Sequence, residues 1–102
     1  MIRSKAITEA ARGHECTMNG PNCNYDPSTV VAAHSNWHFH GKGMGRKADD
    51  LFVGFCCSAC HHWLDTSGAD KDERLWYWYA AHARTLVSLV ESGIITIKGH
   101  KP

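Results

Sequence analysis

The sequence lacks the features of membrane, secreted and strongly basic proteins. No window of its 102 residues approaches the ~20 consecutive apolar residues that a membrane-spanning helix needs. The basic residues Arg3 and Lys5 are not followed by an uninterrupted apolar segment, so no secretory signal peptide is expected. Eleven basic and ten acidic side chains leave a formal net charge of +1, which excludes a uniformly basic nucleic-acid coat. We therefore expect a soluble, cytoplasmic protein with no membrane partner.

The sequence also lacks internal repeats and low-complexity segments, and its length is that of one domain over residues 1–102. Two residue types are abundant, with eight histidines and five cysteines. In a chain without a signal peptide, clustered cysteines indicate zinc before disulfides.

The order of elements predicts an α+β fold. Residues 2–12 predict a short helix that ends at Gly13, and two apolar runs, residues 30–33 and 51–55, predict strands. A segment without helix breakers predicts a second helix over residues 58–65.

The last third of the chain predicts a long helix over about residues 70–92. Asp70 with Glu73 three residues later has the form of a capping box, and Gly93 is the expected stop. Residues 94–97 predict a short terminal strand. The apolar stripe of the helix is expected to consist of Leu75, Tyr79, Leu86 and Val90.

Four of the cysteines form two pairs that suit a metal ion. Cys57 and Cys60 have the C-x2-C spacing of a zinc knuckle, and Cys16 and Cys23 form a looser pair within a turn-rich segment. Together they predict a closed, structural Zn²⁺ site with four thiolates, and Cys56 is the spare thiol. The alternative is a set of buried or unpaired thiols without a metal.

A second group of polar residues could carry catalysis. His61 and Asp65 are four residues apart, so on a helix they share one face and could hold a divalent ion such as Mg²⁺ or Mn²⁺. The alternative is a solvated helix face with a capping aspartate. His34 lies at the end of a predicted strand, where an imidazole could act as general base, and His38 and His40 are nearby alternatives.

The order of these residues resembles that of HNH (ββα-metal) nucleases. Cys16 and Cys23 come first, then the run that ends in Ala33-His34, and then the knuckle followed directly by His61. The segment from Gly43 to Phe52 is similar to small prophage-encoded HNH-like nucleases of the YbcO type. The resemblance covers about residues 10–68.

The resemblance implies a small zinc-stabilised HNH core at about residues 10–68, with an N-terminal helix, a long C-terminal helix and a short final strand. His34 would be the general base, and Asp50 would occupy the position that orients it. His61 and Asp65 would bind the catalytic divalent metal. Two departures from the HNH pattern stand out. Ala33 replaces a metal ligand, and Asp50 replaces the usual asparagine.

The implied function is metal-dependent hydrolysis of DNA phosphodiester bonds in phage recombination or replication. Beside DNA, the expected partners are phage or host recombination proteins, and a homodimer is possible. The alternatives are a non-catalytic zinc-knuckle module that binds DNA or protein, and a structural zinc domain that dimerises through the aromatic segment 76–79. Lys42, Arg46 and Lys47 flank a glycine-rich loop and are the candidate DNA contacts, unless this is an ordinary solvated loop. Arg3, Lys5 and Arg12 could extend the same basic surface.

Overall fold

Two antiparallel strands and three helices form the fold. The computed structural model describes residues 1–101, and the predicted α+β class is confirmed. Single 3-10 turns span Pro27–Thr29 and His38–His40. The main elements in chain order are α1 (Lys5–Glu9), β1 (Val31–His34), β2 (Val53–Cys56), α2 (Ser58–Thr66) and α3 (Lys71–Glu91).

Strands β1 and β2 pair in a register that places His34 opposite Val53 at one end of the sheet. At the other end Val31 is opposite Cys56, and α2 begins two residues after Cys56. All four residues of β2 are buried. The sheet therefore connects the end of β1 to the start of α2, and the predicted site residues lie near these two positions.

Helix α3 covers β2 closely. Gly54 faces Ala81, and a Cβ atom built on Gly54 would lie only 2.9 Å from the Ala81 Cβ. The Trp78 indole N–H donates a hydrogen bond of 3.1 Å to the backbone oxygen of Ala33. The absence of a side chain at Gly54 thus sets how near the helix can approach the strand.

The predicted apolar stripe of α3 is wrong by about one position. Tyr79 is 40% exposed, and the other three members of that stripe are only partly buried. The reason is that the α3 residue facing Gly54 must be small, and that a backbone group at the edge of β2 needs a hydroxyl as its hydrogen-bond partner. The fully buried residues of α3 are instead Trp78, Ala81, Thr85 and Leu89.

Polar side chains satisfy the backbone on the outer edge of β2. His82 donates through Nδ1 to the Val53 oxygen at 2.9 Å, and the Phe55 N–H donates to Thr85 Oγ1 at 3.0 Å. The Thr17 N–H donates to the Phe55 oxygen at 2.7 Å. This explains why Thr85 is fully buried although it is polar, because an unpaired backbone group in the core would be costly.

The predicted terminal strand is wrong. Within residues 1–101 the segment 94–97 forms no strand, and the edge of β2 that it could have joined is already occupied. Gly93 takes a φ of 81° and ends α3, as predicted, and the Ile95 N–H then donates to the Leu89 oxygen at 3.1 Å. None of the helices in the described chain is long and apolar enough to span a bilayer.

Helix α1 is shorter than the predicted helix over residues 2–12. It begins after Ser4, whose hydroxyl accepts the Ile7 N–H, because the backbone of Ser4 is extended and residues 2–4 form hydrogen bonds with the loop before β2. The Asp50 N–H donates to the Ile2 oxygen at 3.0 Å, and the Ile2 N–H donates to Asp49 Oδ1 at 2.7 Å. Long-range pairing thus overrides local helix propensity at the N-terminus.

Candidate metal centre and candidate active site

Four cysteine sulfurs converge on one point. Their Sγ atoms all lie within 4.8 Å of one another. The Cys16–Cys60 and Cys23–Cys57 Sγ distances are 3.7 and 3.8 Å. Ligands about 2.3 Å from a tetrahedral zinc ion are about 3.8 Å apart, so this donor set fits such an ion. The four predicted cysteines are thus brought together, and they can hold a metal ion such as zinc.

The start of α2 positions the knuckle. Cys57 is the N-cap residue of α2, and its Sγ accepts the Cys60 N–H at 3.3 Å. The Gly20 N–H points at Cys60 Sγ from 3.4 Å. The hydrogen bond from the Cys60 thiol lowers the pKa of Cys16, which favours the thiolate form that binds metals.

Cys56 does not belong to the cluster. Among the described residues, the four-sulfur group includes Cys57 but not the adjacent Cys56. The Cys56 side chain is fully buried in the core, and burial raises its pKa well above the ordinary value for a thiol. It is an inert core residue, in agreement with its prediction as the spare thiol.

His34 and Asp50 form a hydrogen-bonded pair at the end of β1. The distance between His34 Nε2 and Asp50 Oδ1 is 2.8 Å. Asp50 is 5% exposed and is held from its other side by the N-terminal segment. The Ser4 N–H donates to Asp50 Oδ2 at 2.7 Å, and Arg3 Nη1 donates to Oδ1 at 3.2 Å.

These contacts keep Asp50 ionised. Burial raises the pKa of the carboxyl group, but the hydrogen bonds from His34, the Ser4 amide and Arg3 outweigh it and hold the pKa below its ordinary value. Arg3 is itself fixed by the backbone oxygens of Ala48 at 2.6 Å and Lys47 at 3.0 Å. The sequence does not reveal this support, because Arg3 and Asp50 are 47 positions apart.

A basic cavity opens over the His34–Asp50 pair. Its volume is about 470 Å³, and α1, β1 and the loop before β2 contribute to its walls. Four basic residues line it: Arg3, Lys5, Arg12 and Lys47. Of the three predicted DNA contacts, Lys47 therefore lies at this cavity, whereas Lys42 and Arg46 are exposed on a separate turn closed by a bridge between Gly43 and Arg46.

His61 and Asp65 meet on the exposed face of α2. His61 Nε2 lies 3.2 Å from Asp65 Oδ2, and both side chains are about 40% exposed. Asn36 donates through Nδ2 to the other oxygen, Asp65 Oδ1, at 2.9 Å. Neighbouring ligands on an octahedral ion are about 3 Å apart, so the two donor atoms fit a divalent ion. Within residues 1–101 no third histidine, cysteine or carboxylate joins them, and the remaining positions would fall to water or substrate.

His34 does not share a cavity with His61. The His61–Asp65 pair lies in a separate cavity of about 310 Å³, and Val31 on β1 borders both cavities.

The two alternative bases, His38 and His40, have different surroundings from those of His34. His40 is buried, and both its ring nitrogens are engaged, by Ser35 Oγ at 2.6 Å and Tyr79 OH at 2.9 Å. His38 is exposed on the surface.

Comparison with known proteins identifies the family. A family model described as "Putative nuclease YbcO" matches residues 5–94. The chain belongs to this family. A solved structure described as "a putative bacteriophage protein" from Escherichia coli str. K-12 is similar, with 32% sequence identity and a TM-score of 0.67. The match covers 84% of this chain and 98% of the other. No protein among the curated sequences matches the chain.

The YbcO match confirms the family resemblance seen in the sequence. The family is named for nuclease activity, which implies hydrolysis of nucleic acids. The matched range contains all four cysteines, His34, Asp50, His61 and Asp65, whereas Arg3 and Ser4 precede it.

Proposed function

We propose that this YbcO protein is a metal-dependent, HNH-type endonuclease that hydrolyses DNA phosphodiester bonds. The observation that carries the proposal is the His34–Asp50 pair at a cavity lined by four basic side chains. A histidine held by a buried carboxylate is suited to proton transfer, and a basic cavity is suited to a phosphate.

The pair determines which nitrogen of His34 is the base. An ionised carboxylate can only accept hydrogen bonds, so the Asp50 contact requires the hydrogen of neutral His34 to be on Nε2. Nδ1 then carries the lone pair and can take a proton from the attacking water. Asp50 also stabilises the imidazolium that forms, so its role is to position and support the base.

The basic residues would bind the phosphate groups of the DNA strand. Lys5, Arg12 and Lys47 line the cavity with charges of one sign, and the backbone hydrogen bonds of Arg3 hold its guanidinium in place. Such contacts are sequence-independent and weaken as the salt concentration rises. We therefore expect binding with little sequence preference.

Two metal positions complete the proposal. The four-cysteine cluster would hold a structural Zn²⁺ ion, and His61 with Asp65 would hold a divalent ion such as Mg²⁺ or Mn²⁺. That ion would polarise the scissile phosphate and stabilise the leaving oxygen, with the DNA strand crossing Val31, which borders both cavities. Asn36 keeps Asp65 in place through its hydrogen bond. The similarity to a structure described as a putative bacteriophage protein supports an association with phage. We place the activity in phage recombination or replication, in the cytoplasm and alongside recombination proteins.

Plasmid nicking tests the proposal. Zinc-loaded protein is incubated with supercoiled DNA and Mg²⁺ or Mn²⁺, or with no added divalent metal, and is compared with His34→Ala and His100→Ala. We expect metal-dependent nicking that His34→Ala abolishes and that His100→Ala, which changes an exposed histidine near the C-terminus, retains.

Two outcomes contradict the proposal. Nicking by His34→Ala at the wild-type rate would exclude His34 as the base. If the wild type binds DNA but cuts it with neither ion, the protein is a zinc-knuckle binding module.

A further inference from the structure

A third cavity, of about 560 Å³, lies between the segment after β1 and the start of α3. Two aromatic side chains from one turn line it, Trp37 and Phe39. Phe39 is 59% exposed, so its ring is accessible to a ligand in the cavity. The proposed nuclease chemistry does not use either residue.

The aromatic turn is held rigidly. His40 follows Phe39 directly and is fixed between Ser35 and Tyr79 by hydrogen bonds of 2.6 and 2.9 Å. The Phe39 ring packs edge-on against the His40 ring, with centroids 4.5 Å apart. Trp37 packs against Trp78 in the core, with centroids 5.7 Å apart. The aromatic surfaces of the cavity are therefore held in place before any ligand binds.

Asn36 links this cavity to the His61–Asp65 pair, which lies in a neighbouring cavity. Asn36 lines the cavity and also donates its hydrogen bond to Asp65 Oδ1. Lys71 and Arg74 lie on the α3 side, with Asp72 as the acidic residue in the lining. Aromatic rings next to cations are the combination that binds single-stranded nucleic acids, because bases stack on the rings while the cations attract phosphates.

We propose that this aromatic cavity binds an unpaired base of the DNA strand whose phosphate lies at the His61–Asp65 pair. The preferred substrate is accordingly single-stranded DNA, or duplex DNA with unpaired bases. A base inside an intact duplex is stacked on both faces and cannot enter such a cavity without being flipped out. The inference rests on the proposed function, since it takes the ligand of the neighbouring pair to be a DNA strand.

Binding measurements test this inference separately from cleavage. The His34→Ala protein, without added divalent metal, is titrated into a fluorescent oligothymidine and into a labelled duplex of equal length, and anisotropy gives the dissociation constants. We expect tighter binding of the single strand. Adding Phe39→Ala should weaken that binding about ten-fold, because one stacking contact is lost, and should leave duplex binding unchanged.

A matched control uses another exposed aromatic residue. Tyr25 is 72% exposed and lines a different cavity, so Tyr25→Ala should bind oligothymidine like the parent protein. Lys71→Gln is a second variant, which should weaken single-strand binding and reduce its salt dependence.

Equal oligothymidine affinity with and without Phe39→Ala overturns the inference, as does tighter binding of the duplex. If wild-type protein fails to nick DNA while Phe39→Ala still reduces single-strand binding, the inference stands and the proposed nuclease function fails.

Discussion

Asp50→Asn is the sharpest test of the proposed base. In the folded protein the Asp50 carboxylate accepts three hydrogen bonds, from His34 at 2.8 Å, the Ser4 amide at 2.7 Å and Arg3 at 3.2 Å. An asparagine has one acceptor oxygen in place of two. Its amide group therefore either turns N–H groups towards these donors or leaves part of the set unpaired.

Asparagine is the usual residue of the HNH pattern at this position, but in this chain the surrounding donors are arranged for a carboxylate, so we expect a loss of activity of about a hundredfold or more. If the amide N–H₂ faces His34, it can bond only to an unprotonated Nε2, so the imidazole hydrogen moves to Nδ1 and the base is lost. General-base catalysis is worth about 10²–10⁴ in rate, which sets this range. The variant should also unfold more easily, by about 1.5–3 kcal/mol, because a buried hydrogen bond to a charged group disappears.

The pH dependence of stability is a second way to measure what the Asp50 carboxylate contributes. The pKa of Asp50 is lower in the folded protein than its ordinary value of 3.8, so its stabilising effect is complete above that value. The effect is lost as the pH falls through the folded pKa. Urea unfolding from pH 7 down to pH 2 should therefore show less acid destabilisation for Asp50→Asn than for wild type.

Asp49→Asn is the matched control. Asp49 accepts the Ile2 N–H through one oxygen, which an asparagine can also provide, and it does not touch His34. We expect near wild-type nicking from this control. Nicking by Asp50→Asn within threefold of wild type, with the fold intact, would refute the role of Asp50 in orienting the base.

Three further predictions concern the metal cluster, the sheet and the basic cavity. Cys57→Ala should lose bound zinc, measured by atomic emission, together with its cooperative thermal transition, whereas Cys56→Ala should keep one zinc per chain. Gly54→Ala should lower the free energy of unfolding by about 1–3 kcal/mol, since its Cβ would meet the facing α3 alanine at 2.9 Å. Equal or greater stability of this variant in urea would contradict the close contact between α3 and β2. Arg12→Gln should reduce the slope of log binding constant against log salt by about one for DNA, while exposed Lys98→Gln should leave the slope unchanged.

The parts of the fold that depend on residues close together in the sequence could be predicted. The helix over 58–65 matches α2, and the helix over 70–92 matches α3, to within one residue at each end. The four cysteines could be grouped because thiolates at knuckle spacing share one preferred ligand. Asp70 does cap α3, although its side chain accepts the Asp72 N–H and Glu73 takes no part in that bond.

The parts that depend on long-range contacts could not be predicted. The buried face of α3 is set by Gly54 and by backbone groups of β2 that need partners, and neither requirement is visible in the hydropathy of α3. Residues 2–4 have a helical pattern, but hydrogen bonds to residues 48–50 hold them outside the helix. Because Arg3 reaches Asp50 only through this pairing, sequence spacing gave no signal for its contact with the His34 pair.

Helix α2 carries residues of both proposed metal positions, so a change at one position can move the residues of the other. Cys57 and Cys60 anchor its first turn, and His61 and Asp65 follow within the next five residues of the same short helix. A chelator that strips the cysteine cluster would release the first turn and disturb the His61–Asp65 pair as well. Inhibition by EDTA would therefore combine two effects, and the divalent ion that supports cleavage must be identified by exchange in protein whose zinc content is held constant.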